Sequence, residues 1–268
     1  MNKIKKFLVI GNPISHSLSP LIHNYWIKKS KVRAIYDKKL LENNDLKNFI
    51  LKIKNKEIYG ANITVPFKKE IISHLDKLSP EAIKTQSVNT IYLDDDKIVG
   101  HNTDITGFEL AIKDTQYDIA QKDILILGAG GVVPSIIFAL KKMKVSKITL
   151  INRTKNKANE MRNLFNDLTI LDWGEIPNFD MVINATSIGL KDEDEINLDF
   201  SKVGNGKFYY DVIYNPKQTN FLKNAKKLGN KIENGKKMFI YQALAAFKIW
   251  HGIQPKINEE IDTLLDRW

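Results

Sequence analysis

Along most of the chain, short apolar runs alternate with longer stretches in which apolar residues recur at helical spacing. Residues 7–10 (FLVI) are too short a run for a helix and suit a buried strand. A helix is predicted from Ser19 to about Ser30, with the Ser19 hydroxyl as its cap and Pro20 at the first helical position. Next come a strand at 34–41, a helix at 44–54, a strand at 59–65 and helical turns across 69–84. Residues 88–93 and 97–99 read as strands joined by the acidic turn Asp94-Asp95-Asp96, and a helix begins at about Thr106.

From Asp123 the series tightens into strand DILIL, turn GAGG, a helix to about Lys144, strand KITLI, then NRT and another helix. That order is a nucleotide-binding βαβ unit. Strands at 181–184 and 208–212 continue it, and from Lys236 two helices are separated at 252–255. The alternation of strands and helices is the α/β pattern, for which a parallel sheet is the default.

A chain of 268 residues with 43% hydrophobic content can build one large core or two medium ones. No cysteine is present and the five histidines are scattered, so neither a disulfide nor a metal centre is expected. The opening MNKIKKFLVI runs directly into Gly11-Asn12-Pro13, which reads as a first strand and not as a signal peptide. No run approaches the roughly 18 apolar residues of a spanning helix, so a soluble, cytoplasmic protein without membrane contact is expected. The net charge of +10 is spread along the chain with no basic stripe interleaved with aromatics, which argues against a nucleic-acid surface.

The Gly128-Ala129-Gly130-Gly131 turn lies between an apolar strand and a helix, the context that makes a Gly-rich motif meaningful. Gly128 permits a tight turn and Gly130 lets backbone amides approach a pyrophosphate, although Val133 stands where the fingerprint has Gly or Ala. After the second strand, where NAD-binding units carry an acidic residue, stand Asn152, Arg153, Thr154 and Lys155. A guanidinium and a hydroxyl there suit a 2′-phosphate, so NADP is preferred over NAD.

In the first part of the chain, Ser17 and Ser19 offer two hydroxyls at a helix start, suited to a carboxylate or polyol and equally to a cap and a turn. Lys68 ends N-I-T-V-P-F-K and Asp104 follows Asn102-Thr103; an amine and a carboxylate that met could pass a proton to or from a hydroxyl.

These residues carry a resemblance over nearly the whole length. GNPISHSLSP at 11–20, NITVPFK at 62–68, VNT at 88–90, NTDITG at 102–107, GAGG at 128 and NRT at 152 come first. INATSIG at 183–189, DVIYNP at 211–216 and NGKKMFIYQA at 234–243 follow in order, and the chain with these motifs resembles the shikimate dehydrogenase family. The resemblance implies an N-terminal α/β substrate domain of residues 1–102 and 236–268, with C-terminal helices packing back on it, and a Rossmann-like NADP-binding domain of residues 103–235. It also implies a small-molecule enzyme, monomeric or homodimeric, that reduces 3-dehydroshikimate reversibly to shikimate with NADPH in aromatic amino acid biosynthesis.

Residue by residue, the resemblance assigns Lys68 and Asp104 to catalysis and Ser17 and Ser19 to the shikimate carboxylate. It assigns Thr64, Asn89 and Gln242 to the ring and Tyr214 to the substrate side. For the cofactor it implies Gly128, Ala129, Gly130, Gly131 and Val132 at the phosphates. Asn152, Arg153, Thr154, Lys155 and Lys157 take the 2′-phosphate, and Thr186, Ile213, Gly235 and Met238 the nicotinamide end. The sequence departs from the family pattern at Gln86-Ser87 (usually Gly-Ala), Val132 (usually Ala) and Phe239 (usually Leu), none of which removes a chemical group. Two rival readings are a quinate/shikimate dehydrogenase with relaxed cofactor use, which would call for an acidic residue near 153–155, and a non-catalytic metabolite sensor, which would dispense with Lys68 or Asp104.

Overall fold

The structure, a computed structural model, describes residues 3–267. Two compact units divide the chain, one of Met1–Gly107 with Ile240–Trp268 and the other of Phe108–Phe239.

The first unit contains strands β1 (Lys5–Gly11), β2 (Ala34–Leu40), β3 (Gly60–Ile63), β4 (Lys77–Leu78), β5 (Thr90–Asp94) and β6 (Lys97–His101), in the sheet order β2-β1-β3-β5-β6-β4. Strands β1, β2 and β3 pair in parallel, whereas β5 is antiparallel to both β3 and β6. The sheet is therefore mixed, not the parallel sheet expected by default. The acidic turn explains the difference: Asp94 pairs with Lys97, Asp95 takes a φ of 51°, and so tight a hairpin joins only antiparallel strands.

Helices α1 (Ser19–Lys29), α2 (Leu46–Lys54), α3 (Pro80–Thr85) and the first turn of α4 (Asp104–Asp114) belong to this unit. A 3-10 turn at Asn43–Asp45 precedes α2, and the stretch predicted as helical turns divides into a 3-10 turn at Glu70–His74, β4 and α3. The apolar face of α2, with Phe49, Ile50 and Ile53, packs with Leu8, Ile10, Ile63 and Phe67. Burying each such side chain stabilises the fold by roughly 1.5–3 kcal/mol. Ser19 does not cap α1. It is the first helical residue, Leu18 at the cap position makes no side-chain cap bond, and the Ser17 hydroxyl accepts the Ser19 N–H at 3.3 Å.

The second unit is built on β7 (Asp123–Leu127), β8 (Lys147–Ile151), β9 (Thr169–Leu171), β10 (Met181–Asn184), β11 (Phe208–Asp211) and β12 (Lys231–Glu233). All are parallel, in the order β12-β11-β10-β7-β8-β9. Its helices are α5 (Val133–Lys142), α6 (Lys155–Leu164) and α7 (Asn220–Lys227). The hydropathy pattern does not reveal β9, α7 or β12. Helix α8 (Lys236–His251) crosses from the second unit to the first, and α9 (Glu259–Asp266) follows. Among the described residues no helix is long and apolar enough to cross a membrane.

On the sheet face opposite Leu8, Phe7 packs on Trp250 of α8 with ring centroids 5.1 Å apart. His23 of α1 stacks flat on Tyr36 at 4.2 Å and meets Trp26, Phe247 and Trp250 within 6.1 Å. It is 0% exposed, and among the described residues neither ring nitrogen has a hydrogen-bond partner. Burial, and secondarily the charge of His251, lowers its pKa to about 3.

Above the ordinary histidine pKa neither the folded nor the unfolded chain protonates His23. As pH falls from about 6.5 towards about 3, the unfolded chain takes up a proton that the folded one refuses, and stability is lost. The expected slope is at most about 1.4 kcal/mol per pH unit. His23→Phe should therefore narrow the gap between urea midpoints measured at pH 7 and pH 4.5; an unchanged gap would show that His23 does not carry the acid sensitivity.

Candidate active site

The register of the first sheet explains why its polar motifs converge. Thr64 and Gly11 stand at the carboxyl ends of the parallel neighbours β3 and β1, and the Thr64 N–H donates to the Ile10 carbonyl at 2.9 Å. Because β5 is antiparallel to β3, its amino end lies at the same edge, with Asn62 opposite Thr90, and β6 ends there with His101 opposite Thr90. The loops at 11–19, 64–68 and 102–104 and the residue Asn89 thus share one edge of one sheet, where open α/β sheets bind ligands.

In N-I-T-V-P-F-K, Ile63 and Phe67 are buried while Val65 is 56% exposed. The Phe67 N–H donates to the Thr64 carbonyl (2.9 Å) and the Val88 N–H to the Lys68 carbonyl (2.9 Å), which fixes the backbone from which the Lys68 side chain projects. Its Nζ lies 2.5 Å from Asp104 Oδ2, with side chains 12% and 9% exposed. The pair expected from the sequence does meet. Asp104 opens α4, where a carboxylate is favoured by the helix dipole, and its N–H donates to Asn102 Oδ1 at 3.2 Å.

Asp104 Oδ1 accepts from Asn89 Nδ2 at 2.8 Å. The same Nδ2 reaches Thr103 Oγ1 at 3.0 Å, while Asn89 Oδ1 accepts from the Thr103 N–H at 2.7 Å and from Thr90 Oγ1 at 3.0 Å. The Asn89 amide is therefore spent on holding Asp104 and its loop. Asn62 Nδ2 bonds Thr90 Oγ1 at 3.1 Å, and Asn62 Oδ1 accepts from the buried Tyr36 hydroxyl at 2.6 Å. The Tyr36 hydroxyl also interacts with the Ser19 side chain, although burial dominates and raises its pKa well above that of a free tyrosine. A continuous polar chain so runs from Tyr36 through Asn62, Thr90 and Asn89 to the ion pair. Sequence reasoning does not single out Tyr36, Asn62, Thr90 or Thr103; the available signal is polar residues inside otherwise apolar strand runs. Gln242 is half-buried on α8, in the part belonging to this unit.

In the second unit, Gly128 is required twice over: its φ is +104°, and a Cβ would come within 2.9 Å of Thr186 Cγ2 and 3.0 Å of the Ala185 carbonyl. At Gly130 a Cβ would meet nothing nearer than 3.8 Å, so that glycine serves not the internal packing but an exposed backbone beside Gly131 at the start of α5. Ala129 and Val132 flank them half-buried, and Val133 is wholly buried in the helix. Beyond β8, Asn152 Nδ2 donates to the Thr154 carbonyl at 2.7 Å. Arg153 and Lys157 are exposed and have no ion-pair partner among the described residues, whereas Lys155 is turned to Asp172 at 2.7 Å.

Thr186 donates its N–H (3.1 Å) and hydroxyl (2.7 Å) to Asn184 Oδ1. The Gly235 N–H donates to the Ile213 carbonyl at 3.1 Å, and a Cβ on Gly235 would lie 2.0 Å from the Val212 carbonyl, so only glycine fits. Met238 is buried. The Tyr214 ring stacks on Phe239 at 4.8 Å, and burial pushes its hydroxyl pKa up to about 12. Tyr214 thus belongs to the second unit, while the other expected substrate residues belong to the first.

Residues 9–91 match the family described as the shikimate dehydrogenase substrate binding domain, and residues 109–191 the shikimate/quinate 5-dehydrogenase family. The shikimate dehydrogenase (NADP(+)) of Pelagibacter ubique (strain HTCC1062) is 59% identical over 262 residues, covering 98% of this chain and 99% of its own. A shikimate dehydrogenase solved in complex with NADP+ has a TM-score of 0.91 at 33% identity, covering 98% of this chain and 95% of its own. The shikimate 5-dehydrogenase of Thermus thermophilus, in complex with NADP(H) and shikimate, has a TM-score of 0.89 at 28% identity, covering 98% and 99%. With matching length, matching domains and majority identity to a full-length relative, the chain belongs to the shikimate dehydrogenase family.

Proposed function

We propose that the protein is an NADP-dependent shikimate dehydrogenase, an oxidoreductase that reversibly reduces 3-dehydroshikimate to shikimate in the pathway to chorismate and the aromatic amino acids. The observation that carries this reading is the Lys68–Asp104 pair, 2.5 Å apart and nearly closed to water, at the ligand edge of the first sheet. NADPH, when bound, supplies the hydride for the carbonyl carbon.

Lys68 hydrogen-bonds the substrate oxygen, stabilises the charge that grows on it and hands over a proton. Asp104, gripped by Asn89, orients the ammonium. Ser17 and Ser19 take the carboxylate, Thr64 and Gln242 the ring, and Tyr214 is a substrate-side residue. Because the Asn89 amide already serves Asp104 and Thr103, its contribution is made through Asp104. In this reading the unit holding Lys68 is the substrate domain and the all-parallel unit the cofactor domain.

The residues of the second unit fit an NADP group. An exposed Gly130-Gly131 backbone precedes α5, and after β8 stands Arg153, without an ion-pair partner among the described residues and with no carboxylate among Asn152, Arg153, Thr154 and Lys155. Gly128 to Val132 would take the phosphates, Asn152 to Lys157 the 2′-phosphate, and Thr186, Ile213, Gly235 and Met238 the nicotinamide end.

Following NADPH absorbance with shikimate or quinate, each against NADP and NAD, tests the reading directly. Fastest turnover with shikimate and NADP is expected; faster turnover of quinate would overturn the substrate assignment. Lys68→Met should lower kcat by roughly 10²- to 10⁴-fold with a smaller change in KM. A near-normal kcat would remove Lys68 from the chemistry. Arg153→Ala should raise the KM for NADP far more than that for NAD, and equal effects would rule out a 2′-phosphate contact.

A further inference from the structure

Outside the pair used in catalysis, one buried carboxylate has no cation. Asp211 ends β11, is 0% exposed, and among the described residues pairs with no basic side chain. Three donors converge on it instead: the Thr219 hydroxyl on Oδ2 at 2.6 Å, and the Ile213 N–H (3.0 Å) and Asn184 Nδ2 (3.1 Å) on Oδ1. Burial, only partly offset by these bonds, pushes its pKa up to about 6. Its neighbour Tyr210 feels its charge, as it does that of Glu233 of β12. A group kept buried at such an electrostatic cost invites a reason beyond packing.

The reason lies in what its donors hold. Asn184 Oδ1 receives both the N–H and the hydroxyl of Thr186, and Asn184 Nδ2 also bonds the Ile188 carbonyl at 3.0 Å. Ile213, fixed by Asp211, accepts from the Gly235 N–H at 3.1 Å. Thr186, Ile213 and Gly235, on three separate segments, are thus each within two hydrogen bonds of one carboxylate. A carboxylate offers acceptors to all three donors without presenting a hydrogen of its own. An amide in its place must turn an N–H towards one of them.

We propose that Asp211 is a positioning residue for the nicotinamide end of the cofactor site, clamping the segments after β10 and β11 so that Thr186, Ile213 and Gly235 keep one arrangement. This rests on the NADP reading above. A loosened clamp should affect the nicotinamide half of the cofactor and spare its adenosine half, which the Gly128 turn and Arg153 would hold.

The test compares three ligands on the full-length protein: NADP+, 2′,5′-ADP (the adenosine half alone) and shikimate. Asp211→Ala should raise the Kd for NADP+ relative to that for 2′,5′-ADP and lower kcat, each by roughly tenfold, in the range found when groups orienting a site are removed. The Kd values for 2′,5′-ADP and shikimate should stay within about twofold, and Asp211→Asn should fall between wild type and Asp211→Ala. If Asp211→Ala does not fold, Thr219→Val against Thr219→Ser makes the same comparison, with only the hydroxyl-free variant losing NADP+. Equal weakening of NADP+ and 2′,5′-ADP, or unchanged NADP+ affinity and kcat, would overturn the proposal. Wild-type protein that bound no NADP+ would instead overturn the cofactor reading beneath it.

Discussion

Two opposite charges 2.5 Å apart with little water around them set the terms for the first unit. Removing an ammonium and a carboxylate from water costs several kcal/mol per ion, and their attraction offsets that only if the remaining lone pairs are satisfied. Asp104 meets the condition through Asn89; Asn89 in turn needs Thr103 and Thr90, and Thr90 needs Asn62. These polar side chains are buried because each answers another, and the strands carrying them must keep the register that brings β3, β5 and β6 to one edge. A one-residue slip of β5 would turn Thr90 to the other face and open the chain of bonds.

Much of this is legible in the sequence. Strands β1, β7, β8, β10 and β11 are apolar runs bounded by turn residues, and the NRT segment carries no acid that would select NAD. The misses share physical causes. Strands β9 and β12 are three-residue edge strands at opposite ends of their sheet, too short to show a period. Helix α7 (NFLKNAKK) buries only Phe221, Leu222 and Ala225 and reads as a polar stretch. Ser19 has the residue type of a cap, but it stands one position inside the helix, with its N–H on the Ser17 hydroxyl. Lys68 and Asp104 can be named from their motifs; their meeting depends on long-range strand pairing.

The departures from the family pattern also have local accounts. Gln86 ends α3 in the left-handed region (φ 46°, ψ 39°), a conformation natural to the glycine that usually stands there. Its Nε2 compensates in part by donating to the Ile83 carbonyl at 2.8 Å. Phe239 lays an aromatic face against Tyr214 where a leucine would offer an aliphatic one, so the platform behind Tyr214 is kept with different chemistry. Val133, larger than the usual third glycine of the fingerprint, is accommodated fully buried at the start of α5.

The two units solve the same problem with different partners. In each, an asparagine at a strand end binds a buried aspartate: Asn89 to Asp104 at 2.8 Å, Asn184 to Asp211 at 3.1 Å. Asp104 faces a lysine ammonium, so its charge is balanced. Asp211 faces only neutral donors, so its charge gains direction from three hydrogen bonds and no counter-ion. A carboxylate meant for proton handling needs a basic partner within reach, whereas one meant to hold backbone segments needs N–H and O–H groups and is better without a mobile cation that could compete for its oxygens. On the proposed reading, that contrast separates the chemical role of the first aspartate from the architectural role of the second, although both are buried carboxylates bound by an asparagine amide.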